Sequence, residues 1–121
     1  MNNAGKNMMS SSKFYMGYSR WDDVKGGYET WEESVSRVMN MHRQKYASVM
    51  TPELESYIAF AEQAYKDKAV LGAQRALQFG GDQLFKHEAR MYNCSVSHCD
   101  RATFFQECMY LLLCGCGVGF S

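Results

Sequence analysis

Five cysteines, Cys94, Cys99, Cys108, Cys114 and Cys116, carry most of the reactive chemistry in this chain, and none occurs earlier. A thiol can ligate a metal as its thiolate, or give up electrons by pairing into a disulfide. His98-Cys99, taken with Cys94 and the Cys114/Cys116 pair, invites a zinc or iron–sulfur reading. The short Cys-x-x-Cys hairpin spacing of such sites is missing, however, and no metal ligand is assigned. Taken alone, Cys94 reads as a small buried hydrophobe, the commonest fate of a free cysteine. Cys108 and Cys114 read as packing residues on an apolar helix. Cys116 reads either as a thiol beside a substrate or as a small residue filling a tight turn. His42 is expected at a core edge and His87 in solvent. The nine methionines are expected to serve as adaptable packing.

The elements that must position these residues follow from periodicity and punctuation. Residues 1–17 are polar and read as a mobile tail. The stretch from Tyr18 to Trp31 mixes aromatics with Asp and Gly and reads as an ordered loop feeding a helix. Thr30-Trp31-Glu32-Glu33 fits a capping box, and Trp31, Val35, Val38, Met39 and His42 recur at helical spacing, predicting a helix over 31–46. Thr51 as N-cap and Pro52 at the first helical position open a second helix ending near Asp67, with Leu54, Ile58, Ala61 and Tyr65 on one face. A short turn or helical piece precedes Gly80-Gly81. Met91 to Ser97 has the composition of a strand. Asp100 is expected to cap a helix over 101–113, with Phe104, Phe105, Cys108, Leu111 and Leu112 on its apolar face. Gly115, Gly117 and Gly119 break that helix, and Val118–Phe120 opens a second strand. Strand, helix and strand within about 30 residues is the length of a βαβ unit, so the two strands should be parallel. The expected organisation is a tail (1–17), a helical region (18–70) and the start of an α/β domain (71–121).

Composition narrows the function classes. Hydrophobic residues at 46% and charged residues at 21% describe a folded domain, not a disordered polymer. Lys plus Arg and Asp plus Glu balance at 13 each, with no basic block, so there is no electrostatic footprint for nucleic acid. The apolar run Met109–Leu113 is far short of the roughly 20 residues that span a membrane. The N-terminus lacks the apolar core of a signal peptide, so reduced thiols and a cytoplasmic location are expected. A parallel sheet needs more than two strands and covered faces. Two strands and one crossover helix do not meet that need, so the chain is expected to work with a further polypeptide or as one piece of a larger protein.

Several stretches, in order over residues 18 to 121, resemble the N-terminal part of the large catalytic subunit of ribonucleotide reductase. YSRW followed by ETWEESVSRVM is similar to the opening helices of the adenosylcobalamin-dependent (class II) enzymes. QRALQFGG resembles the loop leading to the first barrel strand, and YNCSVS resembles that strand. FFQECMYLLLCGCGVGFS resembles the next helix and the glycine-rich turn into the second strand. The resemblance implies the first strand-helix-strand of a ten-stranded α/β barrel. It also implies a thiyl-radical enzyme that reduces ribonucleotides to deoxyribonucleotides, with adenosylcobalamin as radical generator and a thioredoxin-like dithiol as reductant. It makes Cys94 one of the redox-active cysteine pair, places Asn93 beside the substrate, and brings the backbone at Cys116 and Gly117 close to the nucleotide. The radical cysteine, the partner of Cys94 and the rest of the barrel are expected on the C-terminal remainder. Two departures stand out. Cys114-Gly115-Cys116 replaces the usual Gly-Gly or Gly-Thr, and Gly72-Ala73-Gln74 precedes Arg75 where relatives carry Pro-Ser or Pro-Thr.

Overall fold

The computed structural model describes residues 3–121. They form two compact units, one ending at Gly81 and the other running from Asp82 to Ser121. The chain is helix-rich, with two separate two-stranded sheets, and the described residues close no barrel. The division falls after Gly81, not at 70/71, because residues 74–80 are tied to the first unit through their backbone carbonyls.

The first unit contains α1 (Asn3–Gly17), a two-rung antiparallel hairpin of β1 (Trp21–Asp22) and β2 (Gly27–Tyr28), α2 (Trp31–Lys45), α3 (Pro52–Lys66) and α4 (Gln74–Phe79). Residues 1–2 of the mobile tail expected over 1–17 lie outside the described residues, and over residues 3–17 helix α1 stands in its place. Its Asn, Ser and Lys content hides a helix that is anchored by Phe14, whose ring meets Trp31 edge-on at 5.6 Å. The loop expected at 18–31 contains the β1–β2 hairpin, with Trp21 and Tyr28 in edge-to-face contact across it at 5.3 Å.

Helix α2 starts where the capping box requires. Glu33 N–H donates to Thr30 Oγ1 at 3.3 Å, and Thr30 N–H donates to Glu33 Oε2 at 2.7 Å. Thr51 caps α3 by accepting from Leu54 N–H at 3.1 Å. The buried face of α2, Val35, Val38, Met39 and Met41, together with Tyr65, Ala76 and Leu77, forms the core of this unit. Of the face expected on α3, Tyr65 is buried and Leu54 and Ile58 are half-buried, whereas Ala61 is exposed. Trp31 lies against Tyr65 at 5.5 Å, and its indole N–H donates to the Tyr65 and Lys66 carbonyls, satisfying the end of α3.

Charged side chains join α2 to α3. Arg43 donates to Glu55 at 2.9 Å and to Glu62 at 2.7 Å, while Lys66 and Ser36 also donate to Glu62. Burial opposes ionisation of Glu62, but the hydrogen bonds from Lys66, Ser36 and Arg43 outweigh it and bring the carboxyl from 4.5 down to about 2. The folded-state value lies below the unfolded one, so this stabilisation is complete above pH 4.5 and is lost as pH falls toward about 2. The urea midpoint of the first unit is therefore expected to fall between pH 5 and pH 2.5. Glu62→Gln should flatten that slope and lower stability near neutral pH by on the order of 1 kcal/mol, a screened value for a network. An unchanged slope in Glu62→Gln would contradict the assignment.

The second unit contains α5 (Asp82–Lys86), a 3-10 turn at Glu88–Met91, β3 (Cys94–Ser97), α6 (Phe104–Leu113) and β4 (Gly117–Phe120). Strands β3 and β4 are parallel and joined through α6, as the βαβ spacing predicts. Phe104 is 1% exposed and packs edge-on against Phe105 and Phe120, fixing α6 on β4. The N-cap of α6 is Thr103, not Asp100. Residues 101–103 form a turn, with Phe104 N–H on the Arg101 carbonyl, and the Arg101 guanidinium bridges Ser97 Oγ and Glu107.

Candidate functional site

The glycine-rich turn that positions the site begins as the ending of α6. Gly115 adopts φ +84°, a left-handed value that a β-carbon disfavours. Its N–H donates to the Leu112 carbonyl, and Cys116 N–H donates to the Leu111 carbonyl, both at 2.9 Å. These two bonds are a Schellman ending, which turns the chain sharply out of the helix and into β4. Gly117 N–H then donates to the Asn93 carbonyl at 2.8 Å, and the parallel ladder starts with Cys94 opposite Gly117.

This arrangement brings all four residues singled out from sequence, Asn93, Cys94, Cys116 and Gly117, to the N-terminal end of the β3–β4 pair. Asn93, Cys94 and Gly117 are exposed there. The exposure of Cys94 corrects its reading as a buried hydrophobe. A β-carbon at Gly117 would lie 3.6 Å from Cys94 Sγ, so glycine leaves the space beside the thiol open. Cys116 behaves differently. It is 2% exposed, and its Sγ lies 3.5 Å from Ser95 Oγ and 3.4 Å from the Gly117 carbonyl. Its side chain fills the turn, and the contribution it leaves to the site is backbone. Chemically, the cluster presents an accessible thiol beside a bare stretch of glycine backbone. A group approaching there can take a proton from the thiol, and a second thiol brought to it can pair with it in a disulfide when a bound acceptor takes the two electrons.

Of the other cysteines, Cys114 is the C-cap of α6, in the turn that leads to this end. Cys108 and Cys114 are half-buried on and just after α6, and Cys99 is exposed beyond β3. A hydrogen bond to Cys114 holds the Tyr110 phenol above its ordinary value. His87 is exposed and His42 is half-buried. Among the described residues, no group of three or more His, Cys, Asp or Glu gathers as a metal site.

Two constellations were not found from sequence. At the opposite end of the strand pair, His98 Nδ1 lies 2.9 Å from Ser121 Oγ, and Cys99 N–H donates to the Ser121 carbonyl at 3.1 Å. Parallel pairing makes this contact, and residues 23 apart in sequence give no local signal of it.

The second constellation is an arginine clamp in the first unit. Arg37 donates through Nε to Glu29 at 2.8 Å, through Nη1 to the Gly80 carbonyl at 2.7 Å and through Nη2 to the Leu77 carbonyl at 3.0 Å. Arg20 holds the Gln78 carbonyl at 2.9 Å, and Ser34 supports Glu29. Burial pushes the Glu29 carboxyl up, but hydrogen bonds and charge from Arg37, with help from Ser34, bring it below its usual range. The clamp fixes the end of α4, the segment QRALQFGG.

No helix among the described residues is long and apolar enough to cross a membrane. Comparison with protein-family models, with curated proteins and with solved structures returns no match.

Proposed function

We propose that this chain supplies the opening part of a ribonucleotide reductase catalytic barrel: the N-terminal helices, the first strand with Cys94, and the turn into the second strand. The observation that carries this reading is the in-register parallel pairing of Cys94 with Gly117 across the α6 crossover. It sets an accessible thiol against glycine backbone that a nucleotide can approach closely. In the proposed reaction, Cys94 and a second thiol from the remaining barrel reduce the ribonucleotide. The 2′-hydroxyl leaves as water, the two thiols become a disulfide, and the two electrons pass to the ribose. A thioredoxin-like dithiol then returns the disulfide to thiols. Asn93 flanks the substrate beside Cys94. The resemblance supplies adenosylcobalamin as radical generator. The described residues gather no ligand cluster for it, so no residue here is assigned to hold it.

The need for the rest of a barrel is argued from the second unit. Strands β3 and β4 pair only with each other among the described residues, and a two-stranded sheet is at best marginal in water. Val96 and Leu113 are 81% and 79% exposed, and Phe105, Met109 and Phe120 are exposed with them. Such a surface resembles half of a divided core. Co-expression with a polypeptide carrying the remaining barrel strands is expected to yield a stoichiometric complex burying more than about 2,000 Å². Separate elution of the two polypeptides under mild conditions would remove the main support for this reading.

A further inference from the structure

One face of α1 has no role in the proposed reaction. Gly5, Met8, Met9, Ser12 and Met16 recur at helical spacing along it. Together with Tyr18, just after the helix, and Gln78 of α4, they line an open groove of about 860 Å³. Met8, Met9 and Met16 are 77%, 67% and 87% exposed. A β-carbon at Gly5 would meet nothing within 4 Å, so the floor is open there. The helix itself is anchored by Phe14, which packs against Trp31.

Charge selects the occupant. Lys13 lines the groove, Lys6 lies on the same helix, and no Asp or Glu precedes Asp22. The whole chain is neutral, so this positive segment is a local feature. We propose that the α1 groove docks an acidic amphipathic helix of a partner protein, with its apolar side chains among the methionines and its carboxylates against Lys6 and Lys13. Flexible methionines suit such a groove, because they repack around anchors of different shape. At 15 residues and about 1.5 Å per residue, α1 offers about 22 Å, the length of roughly four helical turns. A second copy of α1 would set lysines against lysines, which disfavours self-pairing. Gln78 of α4 lines the groove beside the helix, which gives a bound helix a side contact that a flat lipid surface would not use.

The test titrates the full chain against a fluorescent synthetic helix with leucines at helical spacing flanked by glutamates. The same helix with lysines replacing the glutamates and phosphatidylglycerol vesicles serve as the other probes. The expected result is saturable binding of the acidic helix, at least tenfold tighter than the lysine helix in low salt, with the difference shrinking at high salt. A Met8→Asp/Met16→Asp double variant, altered only at exposed positions, should keep its helical circular dichroism and bind at least tenfold more weakly. Equal binding of both helices, unchanged affinity in the double variant, binding of vesicles alone, or a dimer formed through α1 would each overturn the proposal.

Discussion

With the proposed enzyme reconstituted from this chain and the remaining barrel, Cys94→Ser is expected to lower deoxyribonucleotide formation by at least about a thousandfold, equivalent to about 4 kcal/mol in the barrier. Cys108→Ser should retain most of the activity. The contrast rests on chemistry and position. Serine is nearly isosteric with cysteine but cannot form a disulfide, so the two electrons needed at the ribose have no source. Cys94 is exposed at the start of β3, opposite Gly117, where a substrate can reach it. Cys108 is half-buried within α6, outside the strand pair, and its replacement should act through stability, at about 1 kcal/mol. Turnover is compared at matched folded fraction. Wild-type turnover in Cys94→Ser would remove that residue from the reaction.

The largest expected effect on folding is at Arg37. Arg37→Ala is expected to destabilise the first unit by about 3 kcal/mol, because it leaves the Glu29 carboxylate without its cation and strips the Leu77 and Gly80 carbonyls of their donor. The two side chains are only 15% exposed each, so water compensates poorly. For a unit of this size, each kcal/mol is worth about 4–8 °C, so Tm should fall by roughly 12–24 °C. Arg37→Lys should recover only part of this, since one ammonium cannot reproduce a planar fork that serves three acceptors. Both tryptophans, Trp21 and Trp31, lie in the first unit, so their fluorescence reports its unfolding directly. A shift below about 3 °C in Arg37→Ala would show that the clamp is not stabilising.

The sequence was most legible where a local rule decides the structure. Thr30 and Glu33 form their capping box, Thr51 and Pro52 open α3, and the glycine after α6 ends it in the left-handed region. The parallel β3–β4 pair followed from spacing, because strand, helix and strand within about 30 residues is the length of a βαβ unit. Elements decided by long-range contact were not legible. Helix α1 looks polar residue by residue, and its anchor, Phe14 on Trp31, is a tertiary contact. Arg37 and Glu29 are ordinary surface types in sequence, and only the fold brings the carbonyls of α4 to them. At the site, Asn93, Cys94, Cys116 and Gly117 were grouped by the resemblance alone, and the strand register that brings them together was not legible, because nothing local fixes which rungs of two short strands pair. The buried Cys116 side chain matches its reading as a small residue filling a tight turn, since it lies in the helix ending just before β4.

A single-turnover experiment without external reductant tests the central claim most directly. The reconstituted enzyme is mixed with ribonucleotide, quenched, alkylated and mapped by mass spectrometry for disulfides. The account predicts one disulfide per deoxyribonucleotide formed, with Cys94 as one of its two sulfurs and Cys99, Cys108, Cys114 and Cys116 recovered as alkylated thiols. Product formed while Cys94 is recovered fully alkylated would contradict it.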